Sequence, residues 1–203
     1  MSRKPLIVFE GIEGSGKSHH IKNVTKYLTK KNIKFIYLRE PGGNKNSEKI
    51  RRLILDNRST FNKNTDLLLY LSARSENADV IRKNIGKKII LIDRFVDSTI
   101  AYQHYGMGVN IKLIMFINNF LLRGIKINFT FLNVVNDRNM KLRLLKRKKL
   151  NRYDRFKTIF YKKVQNGFVK LLKKNPKKYM KIDSNLDITK NEIIILNKFK
   201  ELI

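Results

Sequence analysis

The segment Gly11-Ile12-Glu13-Gly14-Ser15-Gly16-Lys17-Ser18 constrains this chain more than any other, because it dictates what must lie on either side of it. The spacing G-x-x-x-x-G-K-[ST] makes a phosphate cradle only when a strand enters it and a helix leaves it. Both neighbours are present. Leu6-Ile7-Val8-Phe9 is a short apolar run stopped by Glu10-Gly11, as expected of a buried strand in a parallel sheet. From Ser18 to Lys31, the residues Ile21, Val24, Tyr27 and Leu28 recur at helical spacing. In such a loop the glycines let backbone N–H groups approach phosphate oxygens, and the helix offers its positive dipole end. Lys17 is placed to reach the β and γ oxygens of a nucleotide, and the Ser18 hydroxyl to bind Mg²⁺. An ordinary glycine turn is the bland alternative, and the flanking strand and helix argue against it.

The rest of the chain repeats that alternation. Residues 35–38, 88–92, 129–134 and 179–182 read as further strands. Helices are expected over 50–55, 66–85, 97–104, 110–123, 137–148, 158–174 and 188–202, with a polar connector at 149–155. Strands alternating with helices predict an α/β fold, the P-loop NTPase three-layer sandwich with a central, mostly parallel sheet of about five strands. With 203 residues, 42% of them hydrophobic, the chain suits a single domain spanning 1–203. Ligands of such sheets bind beyond the carboxyl ends of the strands. Three motifs sit there: Glu10 to Ser18, Arg39-Glu40-Pro41-Gly42-Gly43, and Asp93-Arg94.

Composition excludes some classes. There is no cysteine, hence no disulfide framework or thiolate metal site. No apolar run is long enough to span a membrane or to read as a signal peptide, so a cytoplasmic protein is expected. Lys and Arg total 45 against 16 acidic residues, a formal charge of +29. A nucleic-acid partner would explain that charge. So would biased amino-acid usage, since Lys, Asn and Ile are abundant together and the cations run along the whole chain. The second reading is favoured, and anionic small substrates should still be attracted. His19, His20 and His104 form no metal-ligand pattern and read as surface or loop residues.

Asp93 at a strand end can orient a Mg²⁺ shell, and Arg94 can bridge phosphates; a surface ion pair is the bland reading. Arg39, Arg51, Arg74 and Arg94 lie outside the densest basic stretch, but in so basic a chain a single Arg is usually solvated. Tyr70 precedes Arg74 by one helical turn, so both can face one pocket, or be a core ring and a surface Arg. Ser98, Thr99 and Tyr102 follow Asp93-Arg94 and could be ligands or helix-cap residues. Residues 146–152 could form a mobile lid over phosphates, a nucleic-acid patch or a solvated helix end.

Taken together, these residues resemble the thymidylate kinase family in its bacterial form. The matching text is Phe9 to Ser18, Arg39 to Gly43, Ile50 to Asp56, Ser72-Ala73-Arg74 and Asp93 to Gln103. Leu150-Asn151-Arg152-Tyr153-Asp154 looks like the family's lid, which gives a lid segment of about 146–156. Phe160 to Phe168 and Ile182-Asp183 also fit. The resemblance implies transfer of the γ-phosphoryl of ATP to dTMP with Mg²⁺, on the way to dTTP and DNA replication, by a homodimer. It implies that Glu13 holds the deoxyribose 3′-hydroxyl and Tyr70 stacks on thymine. Arg74, Thr99 and Ser98 would lie at the base. Tyr102 would disfavour ribonucleotides. Arg94 would bind the acceptor phosphate beside Arg39, Pro41 and Arg51.

Family members carry a catalytic arginine in the phosphate loop or in the lid. The loop here has none, so Arg152 and Arg147 are the candidates, beside Lys17, Arg94 and Asp93. Asn151 and Asn133 stand where the family commonly has Asp, and Met107 where it commonly has Arg. Two alternatives compete: a deoxynucleoside kinase, which would need a base near the 5′-hydroxyl, and a basic nucleic-acid-binding P-loop protein without kinase activity.

Overall fold

The structure is a computed structural model describing residues 4–203. Its centre is a five-stranded sheet in the order β2-β3-β1-β4-β5, every neighbouring pair parallel. The strands are β1 (Leu6–Glu10), β2 (Phe35–Arg39), β3 (Ile89–Asp93), β4 (Phe129–Val134) and β5 (Tyr179–Asp183). The helices are α1 (Lys17–Lys30), α2 (Lys45–Leu55), α3 (Lys63–Asn84), α4 (Val96–Thr99), α5 (Ile111–Leu121), α6 (Asp137–Leu145), α7 (Thr158–Lys174) and α8 (Ile188–Leu202). Among the described residues, no helix is long and apolar enough to cross a membrane.

Strand β1 is buried at every position because both faces of the sheet are covered. Ile7 and Phe9 point to one side, into a core with Ile21 and Leu28 of α1, Phe131 of β4 and Phe199 of α8. Leu6 and Val8 point to the other, against Ile81 of α3 and Phe95. A third cluster joins Ile12, Tyr102, Tyr153, Phe160 and Phe168, and so ties the phosphate loop to the lid and α7. The shared direction of the strands brings the ends of β1, β2 and β3 to one edge.

Several boundaries differ from the sequence reading, for physical reasons. Helix α2 starts at Lys45, ahead of the first periodic residue at 50, because Asn44 accepts from the backbone N–H of Asn46 and Ser47. Asn62 likewise starts α3 at Lys63. Helix α6 stops at Leu145, since the cationic run that follows has no apolar stripe to bury. The helix expected over 97–104 is instead α4 followed by a π-helical stretch, Ile100–Gly106. The wider turn keeps both Tyr102 and Gln103 buried. His20 is also not on the surface. It is 3% exposed beneath α8, and burial pushes its imidazole down to about 4.

Candidate active site

A cleft of about 320 Å³ opens at the carboxyl edge of the sheet. The phosphate loop forms one wall. Gly11 follows β1 with φ +139°, and a Cβ there would sit 2.3 Å from the Asn133 carbonyl oxygen of β4, so no other residue fits. Ile12 to Ser15 continue the turn, and Gly16 at φ +86° starts α1. Lys17 is 6% exposed and folds back into the loop, its Nζ donating to the carbonyls of Gly11 at 2.8 Å and Ile12 at 3.0 Å. Burial, and then the nearby Arg94 charge, push its ammonium down to about 8. At about 8 the group still keeps its proton at neutral pH, and an arriving phosphate would offset the Arg94 charge and hold that proton more firmly.

The end of β3 forms the second wall. Ser18 Oγ lies 3.4 Å from Asp93 Oδ2, and the buried Asp93 Oδ1 has no hydrogen-bond partner among the described residues. Arg94 adopts φ +67°, a left-handed conformation rare outside glycine. Its guanidinium donates to Glu13 at 2.9 Å and to the Gly11 carbonyl at 2.9 Å, and lies 5.1 Å over the Tyr102 ring. The Tyr102 hydroxyl donates to Glu13 as well, so one carboxylate joins the loop, β3 and the π-helical stretch. Beneath them Glu10 accepts from the N–H of Phe95 at 2.8 Å and of Ser98 at 3.2 Å, and from the Ser98 hydroxyl at 2.5 Å. Full burial, and then Asp97, push Glu10 up to about 7. It acts from below and does not line the cleft.

The loop after β2 and the helix α3 form the third wall. Arg51 reaches the Pro41 carbonyl, and Arg39 pairs with Glu48 at 3.2 Å. Arg74 is 1% exposed. Its Nε donates to Glu40 at 2.8 Å, its Nη2 lies 2.6 Å from the same carboxylate, and its Nη1 donates to Asn118 at 2.7 Å. Two of the five N–H groups of its guanidinium are left over. Tyr70 stands one turn earlier, and Thr99 lines the same space with a buried hydroxyl that has no partner among the described residues.

Glu13, Lys17, Ser18, Arg39, Pro41, Arg51, Tyr70, Arg74, Asp93, Arg94, Ser98, Thr99 and Tyr102 thus meet around one cleft. The two lid arginines separate. Arg147 lines the cleft and pairs with Asp154. Arg152 does not line it: its guanidinium pairs with buried Asp66 of α3 and lies 5.6 Å over the Phe61 ring. The Tyr153 hydroxyl donates to the same Asp66. Two participants escaped the sequence reading. Asp66 carries no local signal. Arg143 donates to the Gly14 carbonyl at 3.0 Å and to Ser184 at 2.6 Å, and only its place one turn before Arg147 marks it.

Comparison with known proteins adds to this geometry. A family profile described as thymidylate kinase matches residues 9–193. A thymidylate kinase of Kosmotoga olearia is 34% identical over 96% of this chain and 94% of its own length. One of Clostridium novyi is 37% identical over 94% of this chain and 95% of its own. The crystal structure of thymidylate kinase from Ehrlichia chaffeensis is similar with a TM-score of 0.77 and 30% identity, covering 97% of this chain and 98% of that one.

Proposed function

Because the chain belongs to the thymidylate kinase family and is a dTMP kinase using ATP, we propose that its cleft holds dTMP and the phosphates of ATP end to end, with Arg147 as the lid cation. The observation that carries this reading is the shared lining: Lys17 of the phosphate loop, Arg94 of β3 and Tyr70 of α3 face one space. Thymine stacks on Tyr70, with the free Thr99 hydroxyl and the spare N–H groups of Arg74 at its edge. Glu13 takes the 3′-hydroxyl, and Tyr102, already bonded to Glu13, crowds the 2′ position. Arg94 binds the acceptor phosphate, helped by Arg39 and Arg51 on either side of Pro41. That cluster of cations suits an acceptor that is already phosphorylated.

Mg²⁺ fits the residues present. Asp93 keeps an unpartnered buried oxygen beside the Ser18 hydroxyl. Among the described residues no group of three His, Cys, Asp or Glu could hold a metal ion by itself. Ser18 and Asp93 would hold the ion, which would supply positive charge to offset that of the phosphates. Lys17 binds the phosphates from the loop, and Arg94 orients the acceptor oxygen. No general base is required, because the acceptor phosphate already carries the attacking charge. Closure of the lid exchanges Asp154 for phosphate as the partner of Arg147, while Arg152 stays on Asp66 and positions the lid.

Steady-state kinetics of single variants separate these two roles. Arg147→Ala lowers kcat by about 10²–10³-fold with little change in the KM for dTMP, as expected of a contact made in the transition state. Arg152→Ala has the smaller effect on kcat. A larger loss in Arg152→Ala than in Arg147→Ala would exchange the assignments.

A homodimer is also proposed. Helix α5 turns Leu113, Phe116 and Phe120 outward at helical spacing, 43%, 73% and 75% exposed, beside Leu68 of α3 at 54%. Such a stripe suits burial against a second copy of the chain. Sedimentation should give twice the 24.0 kDa chain mass, and Phe116→Glu with Phe120→Glu should halve it. A wild-type monomer at micromolar concentration would refute the dimer.

A further inference from the structure

A second cleft, of about 530 Å³, lies between the end of α5, the segment leading into β4, and the start of β5. It is larger than the 320 Å³ substrate cleft, and among the described residues the two share only Phe95. Leu122, Ile125 and Ile127 give it apolar walls. Arg123, Lys126 and Lys178 stand exposed around it, and among the described residues no carboxylate lines it. None of these three cations has an ion-pair partner among the described residues. A slot with one apolar wall, edged by unpaired cations, suits a flat organic body carrying negative charge.

The depth of this cleft is what connects it to the active site. Phe95 walls both clefts. Its ring carries the Arg74 guanidinium at 5.1 Å, and its N–H is the one held by Glu10. Asn118, 2% exposed at the base of the second cleft, accepts from Arg74 at 2.7 Å. Tyr179 on the β5 side donates to Asp97 at 2.6 Å, and Asp97 is the charge that raises Glu10 most, after burial. Anything seated there touches side chains whose other neighbours are Arg74 and Glu10.

We propose that this cleft binds an aromatic organic anion of the nucleoside phosphate class, and that its occupancy alters dTMP affinity through Phe95 and the Asn118–Arg74 bond. The ring lies on the Leu122–Ile125 wall, with its negative groups toward Arg123, Lys126 and Lys178. Because Arg74 faces the acceptor and not the phosphate loop, the influence falls on the KM for dTMP more than on the KM for ATP.

The absence of cysteine makes the test direct. Asn119→Cys puts one thiol in the cleft, and Lys190→Cys puts one on the exposed face of α8 as a control. Each is treated with 5,5′-dithiobis(2-nitrobenzoate), an aromatic dianion, and with the neutral 2,2′-dithiodipyridine. In the exchange one thiolate attacks, one arylthiolate leaves, and its absorbance counts the sites. The expected preference for the anionic reagent is about tenfold greater at residue 119 than at residue 190, a margin set by the local cations and not by net charge. Lys126→Glu with Lys178→Glu removes that margin. Added dTTP slows labelling at 119 even when dTMP and a non-hydrolysable ATP analogue fill the catalytic cleft, and inorganic phosphate at equal concentration does not. The thionitrobenzoate adduct at 119 then raises the KM for dTMP about fivefold, and dithiothreitol restores it. Equal reagent preference at both positions, protection by phosphate as strong as by dTTP, or an unchanged KM for dTMP in the adduct would overturn the proposal.

Discussion

Lys17→Ala is expected to lower kcat by about 10³-fold or more while the protein stays folded, because it removes the one ammonium that reaches the transferring phosphate from the loop. The fold should not suffer. Lys17 is desolvated in the free protein, its proton is held less firmly, near 8, and its bonds go to two carbonyls of the loop. Truncation removes a buried charge, and the Gly11 carbonyl keeps its bond from Arg94. Coupled-assay turnover and thermal unfolding of the same preparation give both readings. Turnover within about tenfold of wild type would sink the assignment of Lys17 to the transferring phosphate.

The second large effect concerns stability. Arg74→Met keeps the bulk of the side chain and removes its charge from a fully buried pair, and should cost about 3–5 kcal/mol. Glu40, 4% exposed, then has only Asn77 and the chain around it. Burial already pushes its carboxyl up, and the Arg74 charge is the largest influence holding it down. Without Arg74 the folded protein takes up a proton at Glu40. A carboxyl raised above its unfolded value of 4.5 stabilises the fold at low pH and loses that contribution as pH rises through the folded value. The deficit against wild type should therefore be smaller near about pH 5 than near about pH 8. Urea denaturation at both values measures it. A deficit below about 1 kcal/mol would mean that Arg74 and Glu40 contribute little as a pair.

Much of the site was legible because its parts are short and local. The phosphate loop shows itself by spacing, between an apolar run and a helical one. Pro41 with its glycine pair, and Asp93-Arg94, lie at the ends of recognisable strands, and a parallel sheet gathers strand ends. Tyr70 and Arg74 share a face because a helix repeats every turn. What the sequence concealed is long-range pairing. Arg152 meets Asp66 across 86 residues, and nothing near either residue points to the other. The basic stretch containing Arg147 and Arg152 reads as uniform, yet packing of Tyr153 against Tyr70 and Tyr102 turns one arginine into the cleft and the other away. His20 looked exposed beside His19, but α8 covers it, and no pattern within α1 reveals which helix will lie above. The helix starts at Lys45 and Lys63 were missed because capping asparagines blend into an Asn-rich chain.

The strand order carries a consequence for the order of assembly. β1 is made first but sits in the middle: Ile7 pairs with Leu91 on one side and with Phe129 on the other. Such pairings close long loops before they gain anything, so they form late and cooperatively. The floor under Gly11 is the carbonyl of Asn133. A nascent chain therefore carries the phosphate-loop sequence past β2 and β3 before the β4 carbonyl that floors it has been made. The cradle is complete only when β4 has docked.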